Sequence, residues 1–390
     1  MKTYIIAAAL LITAECFAQN SLDSLIVNIE RNSTALQASL KRAEAEKYAN
    51  NTGKYLSNPE LEVGYLFGNP SSLGERTNIS IKQSFDFPSA YFIRGNIASL
   101  KDEQSQSAYL SYRQEILLQA KLLCTELVYR NALVSEYSRR AADAKRIGQA
   151  YQTRYERGDI GIIDHRKALL HQLAAENAVT TETIERAYLL ESLQALNGGI
   201  AIEFEDTAMT LSPVPEFEKW YADAEQTNPA LQKSAQEMAI AQKQQSLSKA
   251  QTLPKFSLGY LGEYSGDSKF NGITAGISIP LWENKNTVQH ATAHLQSAQS
   301  AEADLRLQLH HELKALHARL TSLLVSTEQY RTGLINLDNS EILTKALYLG
   351  EISITEYLLE TASYYDAKSE LLAMERLLNR AAVELSVHTR

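Results

Sequence analysis

Pro59-Glu-Leu-Glu-Val-Gly-Tyr-Leu66 and Pro254-Lys-Phe-Ser-Leu-Gly-Tyr-Leu261 read as one stretch written twice, 195 residues apart. The alignment runs without a gap over residues 30–66 and 225–261. Glu30, Ala35, Leu36, Gln37, Ser39, Lys54, Pro59, Gly64, Tyr65 and Leu66 recur there as Glu225, Ala230, Leu231, Gln232, Ser234, Lys249, Pro254, Gly259, Tyr260 and Leu261. Ten identities in 37 positions are few, so the weight lies in the patterning. Both stretches open on proline, alternate apolar with other residues and close on Gly-Tyr-Leu. Pro88 then answers Pro280 and Gly158 answers Gly350, now at a separation of 192. A three-residue length difference therefore falls between Leu66 and Ile81, where a loop absorbs it readily. A duplication of this extent governs the fold, because each copy is one structural unit.

Outward from the quoted stretch the period is helical. Residues 21–56 and their counterpart 216–252 carry helical spacing in good helix formers. Residues 89–157 contain no proline, and Ile116, Ala120, Leu123, Leu127, Val134 and Tyr137 form a stripe at three-four spacing. The counterpart, 284–349, carries Leu305, Leu309, Leu313, Leu316, Leu320, Leu323, Thr327, Tyr330, Leu334 and Leu337 in steps of four and three. So long and narrow a seam predicts coiled-coil packing, on rods of roughly 100 Å each. Both rods end at matching breaks, Tyr155-Glu-Arg-Gly158-Asp-Ile-Gly161-Ile-Ile-Asp164 and Tyr348-Leu-Gly350-Glu-Ile-Ser353-Ile-Thr-Glu356. Gly158 and Gly350 suit the left-handed residue past a helix C-terminus. Ser353 and Glu356 form a capping box, and Gly161 is the weaker N-cap. Returning helices are expected over 162–196 and 353–386.

Four segments switch to period two. Leu61, Val63, Tyr65 and Phe67 alternate with Glu60, Glu62, Gly64 and Leu66; Ile79, Ile81, Phe85 and Phe87 do so with Asn78, Ser80, Lys82, Ser84 and Asp86. Phe256, Leu258, Tyr260 and Tyr264, then Ile273, Ala275, Ile277, Ile279 and Leu281, repeat the pattern. Polar turns over 68–76 and 265–270 make these two β-hairpins of roughly ten residues per strand, the length of an outer-membrane strand. A half-buried soluble sheet shows the same alternation. Export of the chain, and rods too long to cover the strands, argue for lipid instead.

Export is read from residues 1–18. Met1-Lys2, an apolar run over 4–12 and Cys16-Phe17-Ala18 before Gln19 predict a secretory signal cleaved after Ala18. Lipidation of Cys16 is disfavoured by Glu15 immediately before it. The remaining Cys124 then has no intramolecular partner. A net charge of −8 gives no support for nucleic-acid binding. Four strands cannot close a membrane barrel, and an open edge in lipid leaves backbone groups unpaired at several kcal/mol each. The chain is therefore expected to pool its strands with identical partners in a symmetric ring.

Four features together resemble the TolC family of outer-membrane efflux proteins over essentially the whole mature chain. They are the unit helix–hairpin–long helix–break–helix given twice, the Leu-Pro-Lys-Phe-Ser-Leu-Gly-Tyr strand start (253–260), the Gly-Ile-Ser-Ile-Pro-Leu-Trp exit (276–282) and the glycine tip with an acidic residue six positions on. The exits Ser84-Phe-Asp-Phe-Pro88 and Ile277-Ser-Ile-Pro-Leu-Trp282 look most like the CzcC/CusC-type heavy-metal branch. The resemblance implies a mainly α fold with a small membrane β part: long antiparallel coiled-coil helices in an α-barrel, and four strands per protomer in a trimeric twelve-stranded β-barrel. One efflux domain over 19–390 would consist of two tandem repeats, about 21–197 and 216–388. The implied protein is a passive homotrimeric exit duct in the outer membrane of a Gram-negative bacterium. Its partners would be outer-membrane lipid, a periplasmic adaptor (membrane fusion protein) and an inner-membrane pump of the RND type. Metal cations, drugs or proteins are the cargo classes such ducts serve. A type I secretion exit shares the fold, and a periplasmic coiled-coil adaptor is the competing class, though adaptors carry the helical hairpin once.

The same resemblance implies roles at the tips. Gly158, Asp159, Ile160, Gly350, Glu351, Ile352 and Ser353 match the turns that meet the adaptor. Asp164 and Glu356 stand where the family places acids that close the tunnel mouth, and Glu356 has its capping role as an alternative. Two family positions depart here, since Ile352 replaces an expected base and Leu359 an expected acid, with Glu360 a loose substitute.

Other chemistry is thin. His290 and His294 stand four apart and an i, i+4 pair can bind zinc or copper, but no carboxylate or cysteine completes a ligand set in sequence. His310, His311 and His317 follow. Cys124 reads as a packed core residue. Tyr65, Tyr91, Tyr260, Tyr264 and Trp282 are placed for an aromatic belt. No phosphate loop, nucleophile elbow or His-Glu-x-x-His helix is present, so neither an enzyme nor a cofactor is expected. Asp164-His165 is an adjacent pair whose side chains point apart on a helix.

Overall fold

The computed structural model describes residues 22–335 and 337–389. The expected signal segment and Cys16 lie outside the described residues. The elements in chain order are α1 (22–32), α2 (Thr34–Asn50), β1 (Glu60–Phe67), β2 (Glu75–Phe85), α3 (Pro88–Glu156), α4 (Ile162–Leu196), α5 (Phe217–Thr227) and α6 (Pro229–Ala250). The second copy continues with β3 (Lys255–Ser265), β4 (Ser268–Ser278), α7 (Thr287–Ile335), α8 (Ser340–Leu349) and α9 (Ile354–Ser386). The fold is mainly α with one small sheet. Two compact units divide the described chain: residues 22–38, 112–227 and 310–389 form one, and residues 39–111 and 228–309 the other. Each unit draws on both copies of the repeat.

In the first unit α1, α3 and α4 close a core of Leu25, Ile26, Ile29, Ala120, Cys124, Leu127, Val128, Leu189 and Leu193. The chain between α4 and α5 straps across it. Phe204 enters this core, and Asn131 Nδ2 donates to the carbonyls of Phe204 (3.1 Å) and Asp206 (3.0 Å). Arg113 clamps Glu30 through two bonds of 2.7 Å each.

In the second unit the strands form one antiparallel sheet in the order β1-β2-β3-β4, so the two hairpins join through β2 and β3. The register places Leu61, Ile81, Tyr260 and Ile273 side by side. All four are between 45% and 84% exposed. The row beside it, on the opposite face, is Glu60, Lys82, Gly259 and Thr274. That polar face also holds an Arg76–Glu263 ion pair of 2.8 Å between the hairpins. The β3–β4 turn is only Gly266-Asp267, with Gly266 at φ +53°, a conformation open to glycine in a two-residue hairpin. The β1–β2 turn spans 68–74, so the three-residue difference between copies lies at this turn. Past β2, α3 begins at Pro88 and packs Ala90 and Ile97 on Leu247 and Ala250 of α6.

Three expectations change. The helix expected over 21–56 is two helices meeting at the buried Ser33, and its counterpart over 216–252 is two meeting at the buried Asn228. These joints are themselves 195 residues apart. Asn228 Oδ1 accepts the N–H groups of Ala230 and Leu231, and Pro229 follows, which has no N–H to continue a helix. The rod expected over 284–349 is also two helices, α7 and α8. Asp338 breaks it by accepting both the N–H (3.1 Å) and the hydroxyl (2.6 Å) of Ser340, a local alternative to the helical ladder. Leu334 is 8% exposed on the stripe, whereas Leu337, past the last helical residue, is 60% exposed. The first-copy rod is continuous over 69 residues.

Candidate functional site

The two helix-turn tips close on the same backbone geometry. Gly158 and Gly350 have φ +79° and +77°, conformations that cost an L-residue about 1–2 kcal/mol. Past them the chain closes the same pair of bonds. Gly158 N–H donates to Tyr155 O and Asp159 N–H to Arg154 O, while Gly350 N–H donates to Leu347 O and Glu351 N–H to Ala346 O. These satisfy carbonyls that a helix end leaves open. Space does not demand glycine, since nothing lies within 4 Å of a Cβ at either position; the backbone angle does.

The caps that restart the helices differ. Gly161 begins α4 without a side-chain bond. Ser353 begins α9 with a full capping box: its hydroxyl accepts the Glu356 N–H (3.2 Å) and the Glu356 carboxylate accepts the Ser353 N–H (2.7 Å). Those hydrogen bonds, the backbone one foremost, hold the Glu356 carboxyl below its ordinary range.

One core holds both tips. Ile147 and Tyr151 of α3, Ala168 of α4, Leu347 of α8 and Ile354 and Tyr357 of α9 form it, with Ile160 and Ile352 packed against it. Lys167 Nζ donates to Thr355 Oγ1 at 2.8 Å, tying the starts of α4 and α9 together. The tip residues singled out by sequence therefore separate into two kinds. Asp159, Glu351, Ser353, Glu356 and Glu360 are exposed, as are Gly158 and Gly350, whereas Ile160, Ile352 and Asp164 are half-buried. Ile160 and Ile352 anchor the turns as well as lining them.

Sequence reasoning missed the apolar surface beside these acids. Ile163 is 68%, Leu349 64% and Leu359 70% exposed. Their signal was present as apolar residues at or beside the breaks, off the buried stripe. His165 stacks on Tyr155 at 4.9 Å between ring centroids and is buried, so it closes the first turn and forms no dyad with Asp164. Cys124 is fully buried, and burial first, with Asp206 nearby, pushes its thiol up to about 12; such a thiol is inert. Among the described residues no cluster of three or more potential ligands could hold a metal ion, and no helix is long and apolar enough to cross a membrane.

No family model matches the sequence, and no curated protein matches it either. Solved structures do. The CmeC outer membrane channel of Campylobacter jejuni superposes with a TM-score of 0.77 over 95% of this chain and 85% of its own, at 12% identity. The fold is that of an outer-membrane channel. The outer membrane protein VceC of Vibrio cholerae gives 0.73 over 96% and 97% at 15% identity. CusC, whose structures trace folding and transmembrane channel formation, gives 0.77 over 95% and 92% at 15% identity. At such identities the likeness carries the TolC-like fold. CmeC and CusC are channel proteins.

Proposed function

We propose that this chain is the outer-membrane channel of a tripartite efflux system, a passive duct that works as a homotrimer. The observation that carries the reading is the sheet. It has one largely exposed apolar face, one polar face with an ion pair, and, among the described residues, unpaired outer edges on β1 and β4. A four-stranded sheet with these properties is stable in lipid only when its edges are paired. Three copies supply twelve strands and close the ring with apolar side chains outward and polar ones to a lumen.

In this reading the tips form the periplasmic end. Asp159, Glu351 and Ser353, with the exposed Ile163 and Leu349, meet a periplasmic adaptor, and an RND-type pump in the inner membrane delivers the cargo. Three Glu356 carboxylates around the axis create a field that favours cations and repels anions; Asp164 and Glu360 add to it. Heavy-metal cations are the cargo class suggested by the strand exits 84–88 and 277–282.

Fractionation and reconstitution test the proposal. The protein is expected in the outer-membrane fraction, extractable only with detergent, crosslinking to a trimer and conducting cations in planar bilayers. Recovery as a monomer from the soluble periplasm would overturn it. Glu356→Ala is expected to lower cation selectivity, and an unchanged reversal potential would remove Glu356 from the gate while leaving the duct intact.

A further inference from the structure

The chain has eight histidines, and most are committed to packing. His165 stacks on Tyr155, and burial holds His171 and His388 below the ordinary imidazole range. His310 and His317 lie edge-on to Phe217, His310 also to Tyr221 and His311. His317 Nε2 lies 2.8 Å from the Pro215 carbonyl oxygen.

His290 and His294 are different. Both are exposed near the start of α7. Among the described residues, the one ring that either imidazole meets is the other, at 6.4 Å between centroids and 33° between planes. Ala291, 4% exposed, marks the packed side of this turn. On the open side the neighbours Ala293 and Ser297 are small, leaving room for an ion and its water. The chain carries no lysine or arginine between Lys285 and Arg306, so no cation on this stretch of helix repels another.

We propose that His290 and His294 form a two-nitrogen site for a divalent transition-metal cation such as Cu²⁺, Zn²⁺ or Ni²⁺. Residues four apart share one face of a helix, and a neutral imidazole is the commonest protein ligand for such ions. With metal–nitrogen bonds of about 2.0–2.1 Å, two rings on one tetrahedral ion stand roughly 5 Å apart, so these must close by roughly 1 Å. Two exposed, uncommitted rings make that movement by side-chain rotation alone. Water completes the coordination sphere, which makes the site weaker than a closed four-ligand one and suited to exchange. It stands on the geometry of α7 and does not depend on the duct reading.

The test is a Cu²⁺ titration of the full-length protein, purified in detergent without a polyhistidine tag, followed by calorimetry and electron paramagnetic resonance. One Cu²⁺ per chain is expected, with nitrogen coordination in the spectrum. H290A and H294A each weaken binding at least tenfold, while the triple variant H310A/H311A/H317A binds as the wild type does. Absence of stoichiometric binding, binding unchanged in both single variants, or loss in the triple variant instead, overturns the site.

Discussion

Glu356 is both a helix cap and an exposed residue of the tip. Its carboxylate accepts the Ser353 N–H while its own N–H is held by Ser353 Oγ, and it is exposed at the tip. Its folded pKa lies below the ordinary 4.5. The cap therefore contributes fully above that value and is lost as pH falls through the lowered one. Acidification from about pH 6 to about pH 3 is expected to cost residues 353–357 amide-exchange protection, relative to 161–165 at the other tip. Ser353→Ala should remove the difference between tips at neutral pH; equal protection factors in wild type and variant would refute a stabilising box. This much was legible in sequence, because a capping box is written in four consecutive residues. That Ile160 and Ile352 face inward was not legible, because their burial depends on Tyr151, Leu347 and Tyr357 arriving from other helices.

At the scale of elements, the helices and strands were legible because period and alternation are local. Helix interruptions were less so. Asn336-Leu-Asp-Asn-Ser340 holds good helix breakers, yet the leucine stripe carries on through Leu337 and suggested one rod. Asp338 decides the matter by bonding to Ser340 rather than leaving the backbone to the ladder. Asp338→Ala is expected to destabilise α8 by about 1 kcal/mol, the usual worth of a side-chain cap. Hydrogen exchange across Ser340–Leu349 measures it, with α9 as the internal reference. No change in α8 would mean that the packing of Leu343 and Leu347 holds it without Asp338.

For the whole molecule the unanswered surface is the sheet. Contiguous exposed apolar area of this kind marks a membrane or partner face, and rows such as Leu61–Ile81–Tyr260–Ile273 supply it. Ile81→Lys on the apolar face is expected to cost about 2–4 kcal/mol if that face meets lipid at mid-depth. Lys82→Gln, one residue along on the polar face, should cost little. The yield of heat-stable oligomer in outer membranes, compared between the two variants, reads the difference; equal yields would remove lipid from the apolar face.

By itself the sequence determined the strands with their alternating faces and the glycine turns with their caps. Each of these follows from interactions within a few residues along the chain. Tertiary structure alone decided that both tips share one core and that the two hairpins join through β2 and β3. Those facts depend on residues far apart in the sequence meeting in space, and no local period encodes which distant side chains will bury a given face.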